Sequence, residues 1–326
     1  MDARISSVEA AEFLDITVQA IHHTLKTKSL THKKSDRKVY FGHETAREIF
    51  KINFDKKIIA FHNLKGGVGK TELTHCCAVK ASLYGARVLC IDLDMQGNLT
   101  EDCFRTNADE IPVMIDILKD NLPLNRAIIK IAPGLDLIGS RLENGVLDNY
   151  LQIERYPLDR VYRSIFEKLM ENYDFCFIDL PPAFTPSTAA AVLGADEVVI
   201  PITPDRRSIR GLQLCHDEIM NLIEKYKKNV SFKVVLNEYD IRNTLSNNAL
   251  EFLVKDEQFG QFRYKTHIRR SQDFPNAVGT GDSIFKTLRR TNAKEDIDLF
   301  TRELLNINNK NRFTNKTTSG EVLTTV

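Results

Sequence analysis

The sequence has almost no excess of charge of either sign. Its 326 residues include 45 Lys and Arg against 44 Asp and Glu, which leaves a net charge of +1. A general electrostatic attraction to nucleic acid is therefore not expected, because that attraction needs a strongly basic chain. Any nucleic-acid binding must come from local clusters of basic residues.

Cysteine pairs at metal-binding spacing are also missing. The chain has six cysteines, and none of them forms a Cys-x-x-Cys pair. Several fall in apolar strand or helix patterns, which indicates small buried side chains in a reducing cytosol and argues against a disulfide or zinc framework. These cysteines are Cys76, Cys77, Cys90, Cys103, Cys176 and Cys215.

No apolar run in the sequence is long enough to cross a membrane. The best candidate, residues 189–202, is interrupted by Asp196 and Glu197. The N-terminus has no apolar core of the kind that a secretion signal needs. We therefore expect a cytoplasmic protein without a membrane partner.

A glycine-rich stretch, residues 61–71 with the sequence FHNLKGGVGKT, is the strongest signal in the chain. An apolar run at 57–61 leads into it, and a helical pattern at 73–83 follows it. Such a turn points successive backbone N–H groups into one concavity at a helix N-terminus, so it can hold phosphate. Lys70 then reaches the β- and γ-phosphates, and the Thr71 hydroxyl ligates Mg²⁺. The predicted phosphate-binding residues are Gly66, Gly67, Val68, Gly69, Lys70 and Thr71.

The order Lys-Gly-Gly-x-Gly-Lys-Thr, residues 65–71, resembles the deviant Walker A motif of the ParA/MinD class of ATPases. The resemblance implies ATP and Mg²⁺ as cofactors. It also implies a dimer formed with ATP, in which Lys65 of one subunit reaches the nucleotide of the other. One nucleotide-site residue departs from the family: Glu72 stands where a Ser or Thr usually donates to the α-phosphate, and a carboxylate there would repel phosphate at close range.

Three carboxylates follow apolar runs that are predicted to be strands. Asp92 and Asp94 lie in the sequence DLDMQGN, which resembles a ParA motif with Met95 in place of proline. The resemblance implies that Asp92 helps to hold the Mg²⁺ shell and that Asp94 orients the attacking water. Asp179 ends the run FCFID, which looks like the family's Walker B motif and implies a Mg²⁺ contact through water. Phosphoryl transfer depends mainly on such positioning and charge neutralisation.

The adenine contacts are assigned from two later stretches that also resemble ParA sequences. In the family, residues after the final strands surround adenine, which points here to Asn237 and to a loop at 275–278. Val278 takes the place of a proline of the family in that loop.

Apolar strand patterns alternate with helical patterns from residue 57 onwards. Alternation of this kind predicts an α/β fold, here a P-loop NTPase domain with a mostly parallel central sheet flanked by helices. We assign this domain to residues 55–308 and expect the polar tail at 309–326 to be disordered. The strands are predicted at 57–61, 86–91, 175–178, 197–201 and 232–236.

A small N-terminal domain is predicted at residues 1–54. Ser7 caps a first short helix, Thr17 caps a second, and a tight turn joins the two. Two short strands, at 31–34 and 37–41, and a third helix follow. The order resembles the winged helix-turn-helix of the MerR/excisionase class. The alternative is a small helical dimerisation arm whose lysines are simply solvated.

Two clusters of basic residues are candidates for DNA binding. The first, at 26–38, would form a phosphate-binding patch beside polar side chains that can meet base edges. The second, at 269–294, is either a separate surface for non-specific DNA or a solvated helix face. The candidate contacts are Gln19, His22 and His23 on the second helix, Lys33, Lys34, Arg37 and Lys38 in the wing, and Arg269 and Arg270 in the second cluster.

Together these motifs favour a ParA-like ATPase for plasmid or chromosome partition. The resemblance implies an ATP-dependent homodimer that binds non-specific DNA on the nucleoid and hydrolyses ATP weakly until DNA and a ParB-like partner stimulate it. Its N-terminal domain would also be able to bind an operator sequence. Two alternatives remain: a transcription regulator that uses nucleotide mainly as a ligand, and a MinD-like positioning ATPase. The latter class ends in a basic amphipathic helix, whereas the tail here is rich in Asn and Thr.

Overall fold

The computed structural model describes residues 3–35 and 38–308. Arg37, a candidate DNA contact, and the tail at 309–326 therefore lie outside the described residues. Within those residues the chain forms one large sheet of seven strands and one small sheet of three strands.

The small sheet belongs to the N-terminal segment, which we define as the described residues before residue 55. Its strands are antiparallel in the order β1–β3–β2, and three helices accompany them. The elements are β1 (Ile5–Ser6), α1 (Ser7–Leu14), α2 (Val18–Thr27), β2 (Lys33–Ser35), β3 (Lys38–Phe41) and α3 (His43–Phe50).

The first two helices begin at capping residues, one of which differs from the prediction. Thr17 caps α2, since its hydroxyl accepts from the backbone N–H of Ala20 at 3.2 Å. Ser6, and not Ser7, caps α1. The Ser6 hydroxyl accepts from Glu9 N at 3.2 Å, and the Glu9 carboxylate accepts from Ser6 N at 2.8 Å. This reciprocal capping box fixes the start of the helix one residue earlier than the sequence suggested.

The large sheet is mostly parallel, and the predicted α/β fold is confirmed. Its strands are β4 (Lys57–Phe61), β5 (Val88–Asp92), β6 (Ile129–Ala132), β7 (Leu135–Ile138), β8 (Phe175–Asp179), β9 (Glu197–Ile202) and β10 (Ser231–Leu236). They lie in the order β10–β9–β4–β8–β5–β7–β6. Each neighbouring pair is parallel except the edge pair of β7 and β6.

Helices cover both faces of the large sheet. Alternate residues of each central strand enter different cores: in β4, Ile59 and Phe61 pack on one face, and Ile58 and Ala60 on the other. Strands buried on both faces read as continuous apolar runs, which is why the sequence revealed them. The helices are α4 (Lys70–Leu83), α5 (Met114–Lys119), α6 (Leu124–Ala127), α7 (Leu147–Ile153), α8 (Arg163–Leu169), α9 (Pro186–Gly194), α10 (Arg206–Tyr226), α11 (Thr244–Lys255), α12 (Asp273–Thr280) and α13 (Asn292–Leu305).

The N-terminal segment packs directly on the end of α4. The Phe13 and Phe50 rings lie 4.8 and 5.5 Å from the Tyr84 ring, centroid to centroid. Arg47 Nη1 donates to the carbonyl of Gly85 at 2.7 Å. Because these rings are buried in the same apolar cluster as β4 and α4, the two parts of the chain share one core.

Besides the start of α1, three features of the fold were not anticipated correctly, and the first of them is the short strand β1 (Ile5–Ser6). The strands β6 and β7 were missed; they are joined by a tight turn at Pro133 and Gly134, where Gly134 has a φ of 74°. The expected loop at 275–278 is wrong, because these residues belong to helix α12. Among the residues that the structure describes, no helix has the length and apolar character needed to cross a membrane.

Candidate nucleotide site

The glycine-rich loop connects the end of β4 to the start of α4. Gly69 has a φ of 89°, and a Cβ at this position would lie 2.2 Å from the Asn237 side-chain nitrogen. Glycine is therefore required here by both conformation and space. Asn237 Nδ2 donates to the carbonyl of Val68 at 3.0 Å. Asn237, a predicted adenine contact, is buried and holds the loop itself in place.

The loop lysine Lys70 lies at the first position of α4 and is buried. Its Nζ donates to the carbonyl of Lys65 at 3.3 Å. Burial lowers the pKa of Lys70, and the nearby carboxylates of Asp179 and Asp94 oppose this shift. A cation held in this way at a helix N-terminus can neutralise an anionic ligand without moving far.

Two of the predicted carboxylates meet because their strands are neighbours in the sheet. Asp92 and Asp179 are paired in register at the carboxyl ends of β5 and β8. Both are buried, and burial raises the pKa of Asp92 to about 7 and raises that of Asp179 as well. The Asp92 carboxylate accepts from Thr100 Oγ1 at 2.8 Å and from Asp94 N at 3.1 Å. Asp92 is therefore already held by its own chain.

Asp179 is the better candidate for a metal contact. Thr71 Oγ1 donates to Asp179 Oδ2 at 2.6 Å, whereas Asp179 Oδ1 is buried without a hydrogen-bond partner. A buried carboxylate oxygen with no donor beside a hydroxyl fits a divalent cation or its water shell. In the described part of the chain no group of three His, Cys, Asp or Glu residues could hold a metal alone. Magnesium sites often use few protein ligands, because phosphate and water complete the shell.

A cleft of about 640 Å³ opens beside these groups. Asp94, Lys70 and Thr71 line it, so the catalytic candidate faces the same space as the phosphate loop. Asp94 Oδ1 accepts from the backbone N–H of Gln96 at 3.0 Å, which fixes the carboxylate near its own turn. The segment at 144–148 was not expected at the site. It contributes Asn144, Gly145 and Asp148 to the lining.

Glu72 lines the same cleft. Burial raises its pKa to about 7, and the carboxylate of Glu238 adds to the rise. The side chain is therefore close enough to the loop for its charge to act on a bound anion. Val278, which takes the place of a proline of the family, belongs to α12; its carbonyl accepts from Arg105 Nη2 at 2.8 Å.

Lys65 does not point into the 640 Å³ cleft. Its Nζ donates to Asp205 Oδ2 at 2.6 Å and to Thr203 Oγ1 at 3.2 Å, both in the turn after β9. These two partners were missed from the sequence. The signal available was a carboxylate at the start of α10, where Asp205 also caps the helix by accepting from Ser208 N at 3.0 Å.

The candidate DNA contacts of the N-terminal segment are exposed. His22 Nε2, however, lies 3.1 Å from the Ser7 hydroxyl, so it is partly engaged within the segment. Lys38 Nζ donates to the carbonyl of Leu288, outside the segment, at 3.0 Å. The remaining exposed candidates are Gln19 and His23 on α2 and Lys33 and Lys34 on β2.

Arg269, the first candidate of the second basic cluster, is bonded to two carboxylates. Arg269 contacts Asp296 through Nε at 2.9 Å and through Nη2 at 2.5 Å, and Nη2 also donates to Glu295 at 3.2 Å. These bonds raise the pKa of Arg269. Arg270 lies near Asp240 in a cleft of about 310 Å³ that Lys65 also lines.

The sheet order and the loop between β4 and α4 define a P-loop ATPase fold. A family profile described as an AAA domain matches residues 56–233. The chain is 32% identical over 258 residues to a ParA family protein of Chlamydia trachomatis serovar D, which covers 76% of this chain and 97% of that protein. It therefore belongs to the ParA family of P-loop ATPases.

Two further comparisons agree with this assignment. The sporulation initiation inhibitor protein Soj of Bacillus subtilis is 30% identical over 234 residues, which is 70% of this chain and 90% of Soj. The crystal structure of a putative plasmid partition protein from Borrelia burgdorferi, bound to AMPPNP, superposes with a TM-score of 0.62 at 21% identity. That alignment covers 77% of this chain and 99% of the Borrelia chain, and it shows the shared fold.

Proposed function

We propose that this chain is an ATPase for DNA partition that works as an ATP-dependent dimer. The observation that carries the proposal is the meeting of Lys70, Thr71 and the unpartnered oxygen of Asp179 at one end of the glycine-rich loop. A phosphate chain on that loop would complete the cation shell that the protein leaves open. ATP and Mg²⁺ are the corresponding ligands.

Each residue of the site would have a distinct role in hydrolysis. The backbone N–H groups at 66–71 would hold the phosphates, and Lys70 would neutralise their charge. Thr71 and Asp179 would hold Mg²⁺, which neutralises the charge that develops on the phosphates. Asp92 would support this shell from its position beside Asp179, and Asp94 would orient the attacking water.

Lys65 would act in the dimer, as the deviant Walker A motif implies. In the single chain its ammonium is bound to Asp205. To reach the nucleotide of a second subunit it must leave that carboxylate. Both side chains are partly exposed, so their ion pair is weak enough to exchange for a phosphate contact.

The N-terminal segment would be a winged helix-turn-helix that binds DNA. The supporting features are the capped helices α1 and α2, the exposed residues Gln19 and His23 on α2, and the hairpin of β2 and β3 with its exposed lysines. The hairpin would act as the wing. The protein would bind non-specific DNA on the nucleoid, an operator in addition, and a ParB-like partner that stimulates hydrolysis.

The test is ATP hydrolysis by the full chain, alone and with random-sequence duplex DNA. We expect slow turnover that DNA raises, no turnover and no ATP binding in Lys70→Ala, and retained ATP binding without turnover in Asp94→Ala. Wild-type turnover in Asp94→Ala would remove this residue from the mechanism. ATP binding with no turnover under any of these conditions, with or without a ParB-like protein, would favour the transcription regulator instead.

A further inference from the structure

The wing of the N-terminal segment touches a loop of the ATPase part that lies far away in sequence. Lys38 Nζ on β3 donates to the carbonyl of Leu288 at 3.0 Å, and Arg4 N donates to the carbonyl of Phe285 at 3.0 Å. Arg290 donates to both carboxylate oxygens of Glu12 in α1, at 3.0 and 3.1 Å. The loop before α13 is therefore fixed against the wing and the first helix.

Exposed cations lie on both sides of this contact. On the wing, Lys33 pairs with Tyr40 across the hairpin, and Tyr40 is two residues from Lys38 on the same strand, so Lys33 and Lys38 lie on one face of the hairpin. Lys34 pairs with Val39 and therefore lies on the opposite face, so Lys33 is the wing lysine that shares a face with the loop contact. Arg289 directly follows Leu288. The exposed basic residues are Lys33, Lys34 and Lys38 of the wing and Lys286, Arg289 and Arg290 of the loop.

Few of these charges are neutralised within the described part of the chain. Arg290 is paired with Glu12, and Lys286 is paired with Asp282. Arg290 remains 74% exposed despite its pair, so it can still contact a ligand. Arg269 differs, because it is bonded to both Asp296 and Glu295. The available positive charge of the second basic cluster is therefore beside the wing and not at residue 269.

We propose that the wing and the loop at 286–290 form one continuous surface for the phosphates of duplex DNA. This wing–loop surface rests on the proposed DNA binding of the N-terminal segment and extends it into the ATPase part. Two adjacent rows of cations can contact phosphates of one duplex at the same time, so each contact adds to a single binding event. The sequence had suggested two separate surfaces.

The test compares DNA affinities of full-length variants by fluorescence anisotropy on a short random-sequence duplex, over a range of salt concentrations. The variants are Arg289→Ala, the wing variant Lys33→Ala, their combination, and Glu12→Gln. Lys255→Ala is the matched control, because Lys255 is an exposed lysine on α11 that packs on the opposite face of the sheet. Thermal unfolding of each variant checks that it is folded.

If the wing and the loop form one surface, the fold-losses of DNA affinity should multiply. Arg289→Ala and the wing variant should each weaken DNA binding several-fold, and the fold-loss of the combined variant should equal the product of the two single fold-losses. The slope of log K against log salt should fall by about 0.9 for each lost phosphate contact. Glu12→Gln should tighten binding, because it removes a competing carboxylate from Arg290. The gain is attributed to Arg290 only if Glu12→Gln unfolds at the same temperature as the wild type.

The outcomes distinguish a failure of the proposed DNA binding from a failure of the wing–loop surface. If the wild type does not bind the duplex at all, the proposed DNA binding is wrong and the wing–loop surface falls with it. If the wing variant loses affinity while Arg289→Ala and Glu12→Gln match the wild type, DNA binding stands and the shared surface is wrong. If the wing and the loop were two independent surfaces, Arg289→Ala and the wing variant would each lose little affinity, because the other surface would still bind. The combined variant would then lose far more than the product of the two single losses.

Discussion

The Nζ of Lys65 lies 2.6 Å from the Oδ2 of Asp205, so the first lysine of the glycine-rich loop is held by its own chain. Asp205 also starts helix α10 as its N-cap. The lysine and the helix are therefore connected by one carboxylate. Anything that draws Lys65 towards a phosphate outside the chain must break this ion pair.

Asp205→Asn should strengthen ATP-dependent dimerisation. Asparagine keeps the helix cap but removes the charge that holds Lys65. Because the pair is partly exposed, its contribution is about 1 kcal/mol or less in each subunit. A dimer breaks two such pairs, so it should tighten by up to about 30-fold. Sedimentation velocity with ATP measures the change. Lys65→Ala should lose the dimer, and Asp205→Asn should give no gain in that background. An unchanged or weaker dimer in Asp205→Asn alone would contradict the role given to the pair.

Glu72→Thr should bind nucleotide more tightly. Glu72 lines the phosphate cleft, and a threonine there would replace a repelling carboxylate by a hydroxyl donor. The expected gain is about 1 kcal/mol, or about fivefold in affinity. Isothermal titration with ATP and Mg²⁺ measures it. Glu72→Gln is the matched control that removes the charge alone and should recover part of the gain. Equal affinities in all three proteins would mean that the carboxylate does not act on the ligand.

His75→Leu should make the protein less sensitive to mild acid. His75 is fully buried, and burial lowers its pKa from 6.5 to about 4. Between these values the unfolded chain takes up a proton that the folded chain does not, so the free energy of unfolding falls as the pH falls from about 7 to 4. The loss from this histidine is at most about 3 kcal/mol.

Urea unfolding at several pH values checks this expectation. The variant should show a shallower fall in stability than the wild type over the same range. The exposed His23→Leu serves as the control and should follow the wild-type curve. Parallel curves for wild type and His75→Leu would show that other groups govern acid sensitivity.

Gly85→Ala should loosen the N-terminal segment. A Cβ at Gly85 would lie 2.5 Å from the Arg47 Cα, and the φ of Gly85 is 88°. Overpacking and the strained backbone together should cost about 2 kcal/mol or more. Hydrogen exchange should rise in α1 and α3. Gly279→Ala is the matched control, since nothing lies within 4 Å of a Cβ there. Unchanged exchange in Gly85→Ala would show that this contact does not hold the segment.

The sequence revealed those parts of the fold that depend on local pattern. Central strands such as β4 and β8 are buried on both faces, so their apolar runs are unbroken. The pair β6 and β7 was missed, because β6 is a half-exposed edge strand and the four-residue run of β7 is interrupted by Asp136. The phosphate loop was recognisable because strand, glycines, lysine and helix are contiguous.

Contacts between distant residues were not predictable in the same way. Nothing near Lys65 in sequence indicates that its partner is Asp205, 140 residues later. The apolar faces of α1 and α3 were equally compatible with a domain that folds around its own core. Only the three-dimensional structure shows that Phe13 and Phe50 pack on Tyr84.

Helix α4 touches the phosphate loop at one end and the N-terminal segment at the other. It has 14 residues, is about 20 Å long and is buried over most of its length. His43 Nδ1 donates to the carbonyl of Ser82 at 2.9 Å, in the last turn of α4. A shift of α4 along its axis at the phosphate loop would therefore act directly on the helices of the N-terminal segment. If the chain binds both nucleotide and DNA as proposed, the coupling must be reciprocal: the factor by which nucleotide changes the affinity for DNA equals the factor by which DNA changes the affinity for nucleotide.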